Sequence, residues 1–162
     1  MVILLKLFLV LILCMIFYQD YRDRMVLWLF YPLVSVFGFC IQLFYYSWQS
    51  IIAQSLINLI FILLLICISF LFSKLVIKKK FLNESIGIGD VLLFFGITVL
   101  FPIITFCVLF VVSLIFSLIM HLVLTNKKEK KATIPLAGYM SLFYGVIYIA
   151  SIFTTKNILF TL

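Results

Sequence analysis

The chain of 162 residues is 67% hydrophobic and 10% charged, whereas soluble domains are about half apolar and a quarter charged. A water-soluble fold of this size could not bury so many apolar side chains, and the unbroken apolar runs do not alternate as β-barrel strands do. The net charge of +7 lies in short clusters beside those runs, which is typical of cytoplasmic membrane loops and argues against a nucleic-acid partner.

Three apolar segments come first along the chain, at about residues 2–18, 26–46 and 51–73. Each is close to the roughly 20 residues that cross a hydrocarbon core of about 30 Å. No small-residue cleavage site follows the first segment, so we interpret it as a retained span and not as a signal peptide. Aromatic side chains suited to the headgroup boundary close the second segment: Phe44, Tyr45, Tyr46 and Trp48.

The stretch from Asp90 to Leu124 is too long for one span. A straight helix of these 35 residues would measure about 52 Å. Because proline interrupts a helix, Pro102 divides the stretch into segments of about 90–101 and 103–124, and the short first segment brings Asp90 close to water. With a last span at about 136–154, the sequence predicts an all-α, polytopic transmembrane helical bundle of about six spans, in one domain over 1–162.

The basic residues predict the orientation of the bundle. Ten of the twelve lie in the loops 19–25, 74–89 and 125–134, which fall on one side if six spans are drawn. The positive-inside rule places that side in the cytoplasm, and the lysine clusters there suit anionic lipid. All five acidic residues fall on the same side: Asp20, Asp23, Glu84, Asp90 and Glu129.

Two of these acids are candidates for chemistry. Asp20 ends the first span, where a carboxylate is costly and usually has a function. Asp90 follows Gly87-Ile88-Gly89, in which the glycines allow the backbone to bend or to approach another segment closely. The simpler interpretation of Asp90 is that it is a helix N-cap. If the two carboxyls meet, one ionised group can take a proton from water while its protonated partner polarises a peptide carbonyl. Asp23 has the simpler interpretation of a loop acid paired with the neighbouring arginines.

The sequence predicts no cofactor and no metal site. His121 has no Cys, Asp or Glu at ligand spacing, and the cysteines are not spaced as CxxC. Gln54 and Asn58 share one helix face, where we expect hydrogen bonds between helices. We expect the four cysteines to be small buried hydrophobic residues: Cys14, Cys40, Cys67 and Cys107.

Three motifs resemble the type IV prepilin peptidases, membrane aspartic peptidases that include the preflagellin peptidases. The motifs are Tyr18-Gln19-Asp20-Tyr21-Arg22-Asp23-Arg24, then Glu84-Ser85-Ile86-Gly87-Ile88-Gly89-Asp90 with its GxGD string, and Ile134-Pro135-Leu136-Ala137-Gly138-Tyr139-Met140. In their order and spacing they cover nearly the whole chain. The resemblance implies that Asp20 and Asp90 are the catalytic aspartates, with Gly87, Gly89 and Glu84 as a supporting motif.

The resemblance also implies an activity, which is removal of the short basic leader of pilin-like precursors at the cytoplasmic face of the inner membrane. Two positions differ from the family: Met25-Val26-Leu27-Trp28 replaces a common Ile-Pro-Asn, and Leu92 replaces a common lysine. The chain has no room for the cysteine-containing insert of bifunctional members, so methyl transfer is not predicted. Two other interpretations stay open: a small ion- or proton-coupled transporter subunit, and a non-catalytic component of pilus or secretion assembly.

Overall fold

The computed structural model describes residues 1–77, 87–124 and 135–153. Within these ranges 86% of the residues are helical and none forms a strand, so the predicted all-α class is confirmed. A short π-helical turn at Ser73–Ile77 continues the third helix. The six α-helices are α1 (Val2–Asp23), α2 (Phe30–Gln42), α3 (Trp48–Phe72), α4 (Ile88–Ile97), α5 (Ile103–Leu124) and α6 (Leu136–Phe153).

Four helices, α1, α3, α5 and α6, are long and apolar enough to cross a membrane. Their outward faces are also apolar: Ile60 on α3 is 63% exposed and Leu122 on α5 is 69% exposed. A soluble protein rarely leaves so much contiguous apolar surface in water, whereas a helix in lipid does so at no cost. The chain is therefore a polytopic membrane protein whose outer side chains face lipid.

Helix α2 is shorter than the predicted segment 26–46. It has 13 residues, a length of about 20 Å. Pro32 lies in its first turn, where the missing N–H breaks no hydrogen bond, but a helix continuing further back would meet the proline ring. Residues 24–29 form a turn instead, held in part by the backbone N–H of Leu27, which donates to the side-chain oxygen of Gln19 at 3.0 Å.

The predicted break at Pro102 is confirmed, and α4 is the short helix before it. This helix has 10 residues, about 15 Å, and it begins two residues before Asp90. The turn between α4 and α5 is buried inside the bundle, with Leu100 and Phe101 at 0% and 1% exposure. Non-helical backbone survives at membrane depth only where the protein supplies hydrogen-bond partners, so the carbonyls of this turn need donors.

Side chains from three other helices donate to those carbonyls. The amide of Asn58 on α3 donates to two of them, which confirms its expected role between helices. The bonds run from Asn58 Nδ2 to the Thr98 and Phe101 carbonyls at 2.9 and 3.1 Å, from Gln42 Nε2 to the Val99 carbonyl at 2.9 Å, and from the Tyr148 hydroxyl to the Leu100 carbonyl at 3.1 Å. The turn is thus tied to α2, α3 and α6.

Helices α1 and α6 pack side by side and antiparallel. At one end of the pair, the backbone N–H of Gly138 donates to Asp20. At the other end, Nζ of the buried Lys6 donates to the Ser151 carbonyl at 3.4 Å. This packing brings the C-terminal end of α1 to the N-terminal end of α6, where the candidate site lies.

The expected burial of the cysteines is wrong for two of them. All four carry free thiols, but Cys14 on α1 and Cys67 on α3 are exposed, while Cys40 and Cys107 are half-buried. Cys14 and Cys67 occupy outward faces of long apolar helices, where lipid replaces the protein interior as the apolar surrounding. In a membrane protein an apolar sequence context therefore does not predict a buried position.

Candidate active site

The ends of three helices meet at one end of the bundle and bring Asp20 and Asp90 together. Asp20, near the C-terminus of α1, accepts a hydrogen bond on Oδ2 from the Gly138 N–H at 2.5 Å. Asp90, near the N-terminus of α4, accepts one on Oδ1 from the Ala137 N–H at 2.7 Å. Consecutive amide nitrogens of a helix are about 2.8 Å apart, so the two bonded carboxylate oxygens lie within about 8 Å of each other. The charges of the two carboxylates also act on each other.

The N-terminus of α6 supplies both amides. Ala137 and Gly138 are the second and third residues of this helix, and the first N–H groups of any helix lack partners within it. These groups carry a partial positive charge that favours anions. A helix N-terminus therefore compensates for placing two half-buried carboxylates at the edge of a membrane bundle. It also attaches both to one rigid element.

Asp90 caps its own helix as well, though not as the N-cap residue. The N-cap of α4 is Gly87, with extended backbone at φ −70° and ψ 145°, and Asp90 is the third helical residue. Its Oδ2 accepts a hydrogen bond from the Gly87 N–H at 3.2 Å, which is half of a capping box. Capping of α4 and attachment to α6 are compatible because the two hydrogen bonds use different oxygens of the Asp90 carboxylate.

The glycines near the two acids make room for oxygen atoms. Neither Gly87 nor Gly89 has a positive φ, so the expected backbone bend does not explain why glycine occupies these positions. A Cβ atom at Gly89 would lie 2.9 Å from the Tyr31 hydroxyl, and one at Gly87 would lie 3.0 Å from Asp90 Oδ2. The close approach expected of the glycines therefore occurs. Glu84, the remaining member of the predicted motif, lies outside the described residues.

Asp23 differs from Asp20 although it is only one helical turn away. Its side chain is 59% exposed, and its Oδ1 lies 3.8 Å from Nε of Arg22, as the simpler interpretation predicts. Arg24 ends α1 in the left-handed conformation at φ 52°, and its charge acts on Asp20. The structure therefore separates the two acids, with Asp20 turned toward Asp90 and Asp23 turned outward.

Sequence reasoning missed one side chain at this site. Tyr31 on α2 places its buried hydroxyl where the charges of both Asp20 and Asp90 act on it, with no hydrogen-bond partner among the described residues. Nothing in the sequence distinguishes Tyr31 from the other seven tyrosines. Its position follows from how α2 packs against α4. The amides of Ala137 and Gly138 were also missed as donors, although the motif at 134–140 points to that segment.

The arrangement gathers two carboxyls and a phenol at one end of the bundle. Two carboxyls that come close do not ionise together easily, and such a pair can hold one proton and serve as an acid and a base. Among the residues that the structure describes, no group of three His, Cys, Asp or Glu side chains could hold a metal ion. Proton transfer is chemistry that two carboxyls in such a site can perform.

Comparisons of the chain with protein-family models, with curated proteins and with solved structures each found no match.

Proposed function

We propose that the chain is a membrane aspartic endopeptidase of the prepilin peptidase type, in which Asp20 and Asp90 act as a general acid/base pair. The observation that supports this best is the attachment of both carboxylates to consecutive amides of α6, through Gly138 and Ala137. Two acids that are 70 positions apart in the sequence thus share one small site. The resemblance of the three motifs to that family points to the same pair.

The pair can hydrolyse a peptide bond with one water molecule. The ionised carboxylate takes a proton from water while the water oxygen attacks the peptide carbonyl carbon, and the protonated carboxyl gives its proton to the carbonyl oxygen. The resulting tetrahedral diol then collapses. One hydroxyl returns its proton to a carboxylate, the other carboxyl protonates the leaving amine, and the C–N bond breaks. Because the carboxyls are coupled, they titrate as a unit.

The proposed substrate is a pilin-like precursor with a short basic leader, a glycine and then an apolar helix. The pair lies at the end of α1 that bears Arg22 and Arg24, which the positive-inside rule places in the cytoplasm. A basic leader would stay at that face beside anionic lipid, while the apolar helix lies in the bilayer along the bundle. The proposal therefore puts the protein in the cytoplasmic membrane, with cleavage at its cytoplasmic face.

The test uses the purified protein in detergent and a precursor fusion of that design. Asp20→Asn and Asp90→Asn keep the side-chain size and remove the acid, so we expect each to lower cleavage by at least about 10³-fold. Asp23→Asn is the matched control, because Asp23 is an exposed carboxylate one turn away, and it should cleave within about twofold of the wild type. Mass spectrometry of the product gives both the rate and the bond that is cut.

Cleavage by Asp90→Asn at the wild-type rate would refute the proposal. The rival transporter is examined with the same variants in liposomes. Ion-dependent flux that needs Asp20 and Asp90, without any cleavage of the precursor, would favour transport. The position of the pair at one end of the bundle counts against a transport site, because such sites lie near the bilayer midplane.

A further inference from the structure

Tyr31 extends along the side of α4 as far as Gly89, the residue before Asp90. The backbone of Tyr31 is level with Gly96, where an added Cβ would lie 3.0 Å from the Tyr31 carbonyl oxygen. Its hydroxyl is level with Gly89, where an added Cβ would lie 2.9 Å away. The side chain therefore runs toward the N-terminus of α4, as side chains on a helix such as α2 lean toward its own N-terminus. Packing holds it there, since Tyr31 is 2% exposed.

The hydroxyl of Tyr31 is an unused donor. It is buried and has no hydrogen-bond partner within the described part of the chain. Buried tyrosine hydroxyls normally find a partner, and those of two other tyrosines here do. The Tyr148 hydroxyl donates to the Leu100 carbonyl at 3.1 Å, and the Tyr144 hydroxyl accepts from Ser113 at 3.4 Å. Tyr31 is the tyrosine among the described buried side-chain atoms without a partner, and the charges of both aspartates act on it.

We propose that Tyr31 is a third catalytic residue, whose hydroxyl donates a hydrogen bond to the substrate carbonyl oxygen as that oxygen gains negative charge. This inference rests on the proposed peptidase function. Hydrolysis places charge on this oxygen, and donors fixed in advance stabilise it because they need not reorganise during the reaction. A neutral phenol suits this role next to two acids, since a further carboxylate would repel the developing charge.

The same geometry explains the second glycine of the GxGD string. Any side chain at Gly89 would occupy the space of the Tyr31 hydroxyl, because its Cβ alone would lie 2.9 Å from that oxygen. The charge of Asp20 also acts on Tyr139, whereas the charges of both aspartates act on Tyr31. The contact with Gly89 places the Tyr31 hydroxyl beside the residue that precedes Asp90.

The test compares Tyr31→Phe with Tyr144→Phe. Tyr31→Phe keeps the ring and removes a hydroxyl that bonds no described group, so it should fold as stably as the wild type. We expect kcat to fall by about 10²-fold or more, the usual effect of removing one oxyanion donor, with KM changed by less than about threefold. Tyr144→Phe removes another buried phenol hydroxyl, remote from the acids, and should stay within about twofold in kcat.

A second measurement separates catalysis from substrate binding. A peptide in which a tetrahedral hydroxyl-bearing carbon replaces the scissile carbonyl should bind Tyr31→Phe at least about tenfold more weakly than it binds the wild type. The uncleaved leader peptide should bind Tyr31→Phe and the wild type with the same Kd. This difference is expected only if the hydroxyl meets the charged oxygen, and a purely structural role would not produce it.

The outcomes distinguish the two proposals. Normal kcat in Tyr31→Phe, with the wild type active and Asp20→Asn and Asp90→Asn inactive, would overturn the role of Tyr31 and leave the peptidase intact. A lower melting temperature in Tyr31→Phe with kcat unchanged would assign the hydroxyl to structure and also overturn it. Absence of cleavage by the wild type, or full cleavage by the aspartate variants, would overturn both.

Discussion

Gly138→Ala adds one methyl group to the side of α6 that faces Asp20. The new Cβ would lie 3.0 Å from Oδ2, 3.2 Å from Cβ and 3.5 Å from Cγ of Asp20. Ordinary van der Waals contact begins at about 3.4 Å, so the Asp20 side chain has to retreat by about 0.4 Å. The hydrogen bond from the Gly138 N–H to Oδ2, at 2.5 Å, lengthens by a similar amount.

A retreat of this size comes close to the limit of what catalytic geometry tolerates. Productive constellations hold within about 0.5 Å, and a displacement of about 1 Å can cost 10²-fold in rate. We therefore expect Gly138→Ala to lower kcat by about tenfold, or about 1.4 kcal/mol in activation free energy. The fold should survive, because alanine is a better helix former than glycine by about 1 kcal/mol.

Gly145→Ala is the matched control for this prediction. It makes the same substitution two turns further along α6, where the nearest atom to the new Cβ is Leu13 Cβ at an ordinary 4.0 Å. The assay measures initial cleavage rates of the precursor together with thermal unfolding in detergent. If Gly138→Ala is folded and cleaves as fast as Gly145→Ala, cleavage does not depend on the position of the Asp20 carboxylate at the N-terminus of α6, and the reasoning is refuted.

Two further predictions concern the buried turn and the acid pair. Asn58→Leu leaves the carbonyls of Thr98 and Phe101 without their donor, so we expect a loss of about 1–3 kcal/mol in stability against unfolding in detergent. Ser55→Ala, which loses only a bond to Ile51 in its own helix, is the control, and equal stability of the two variants would contradict the reasoning. The pH profile of kcat/KM should be bell-shaped, since the active form holds one proton between two carboxyls and is lost when both are protonated or both ionised. A rate that rises to a plateau at alkaline pH would instead indicate a single base.

The helices could be predicted from the sequence more reliably than their ends. Unbroken apolar runs identify segments that lipid can surround, and Pro102 identifies the break between α4 and α5. The segment 26–46 reads as a complete span by hydropathy, yet only Phe30–Gln42 is helical. Hydropathy measures how apolar a segment is and not whether it is helical, and the non-helical residues beside α2 are apolar although exposed, as Leu27 and Trp28 are at 59% and 70%.

The two acids of the candidate site stand out in the sequence because ionisable residues are rare and costly in such a chain. Asp20 and Asp90 each lie where an apolar run begins or ends, and the sequence alone shows this. Tyr31 could not be predicted in the same way, since a tyrosine in an apolar run is ordinary and its position depends on contacts with Gly89 and Gly96. The donors of Ala137 and Gly138 are backbone groups, which every residue except proline carries, so the sequence does not mark them.

The separation of the two carboxylates depends on α6 more than on the length of chain between the acids. Asp20 and Asp90 belong to different helices, and each is attached to α6 by one hydrogen bond. The step from Ala137 to Gly138 is a fixed distance in any helix, so it limits how far the two acids can move apart while both bonds remain. A shift of α6 along α1 would strain the Gly138–Asp20 bond at one end and the Lys6–Ser151 bond at the other. The packing of α1 against α6 therefore protects the geometry on which an acid/base pair depends.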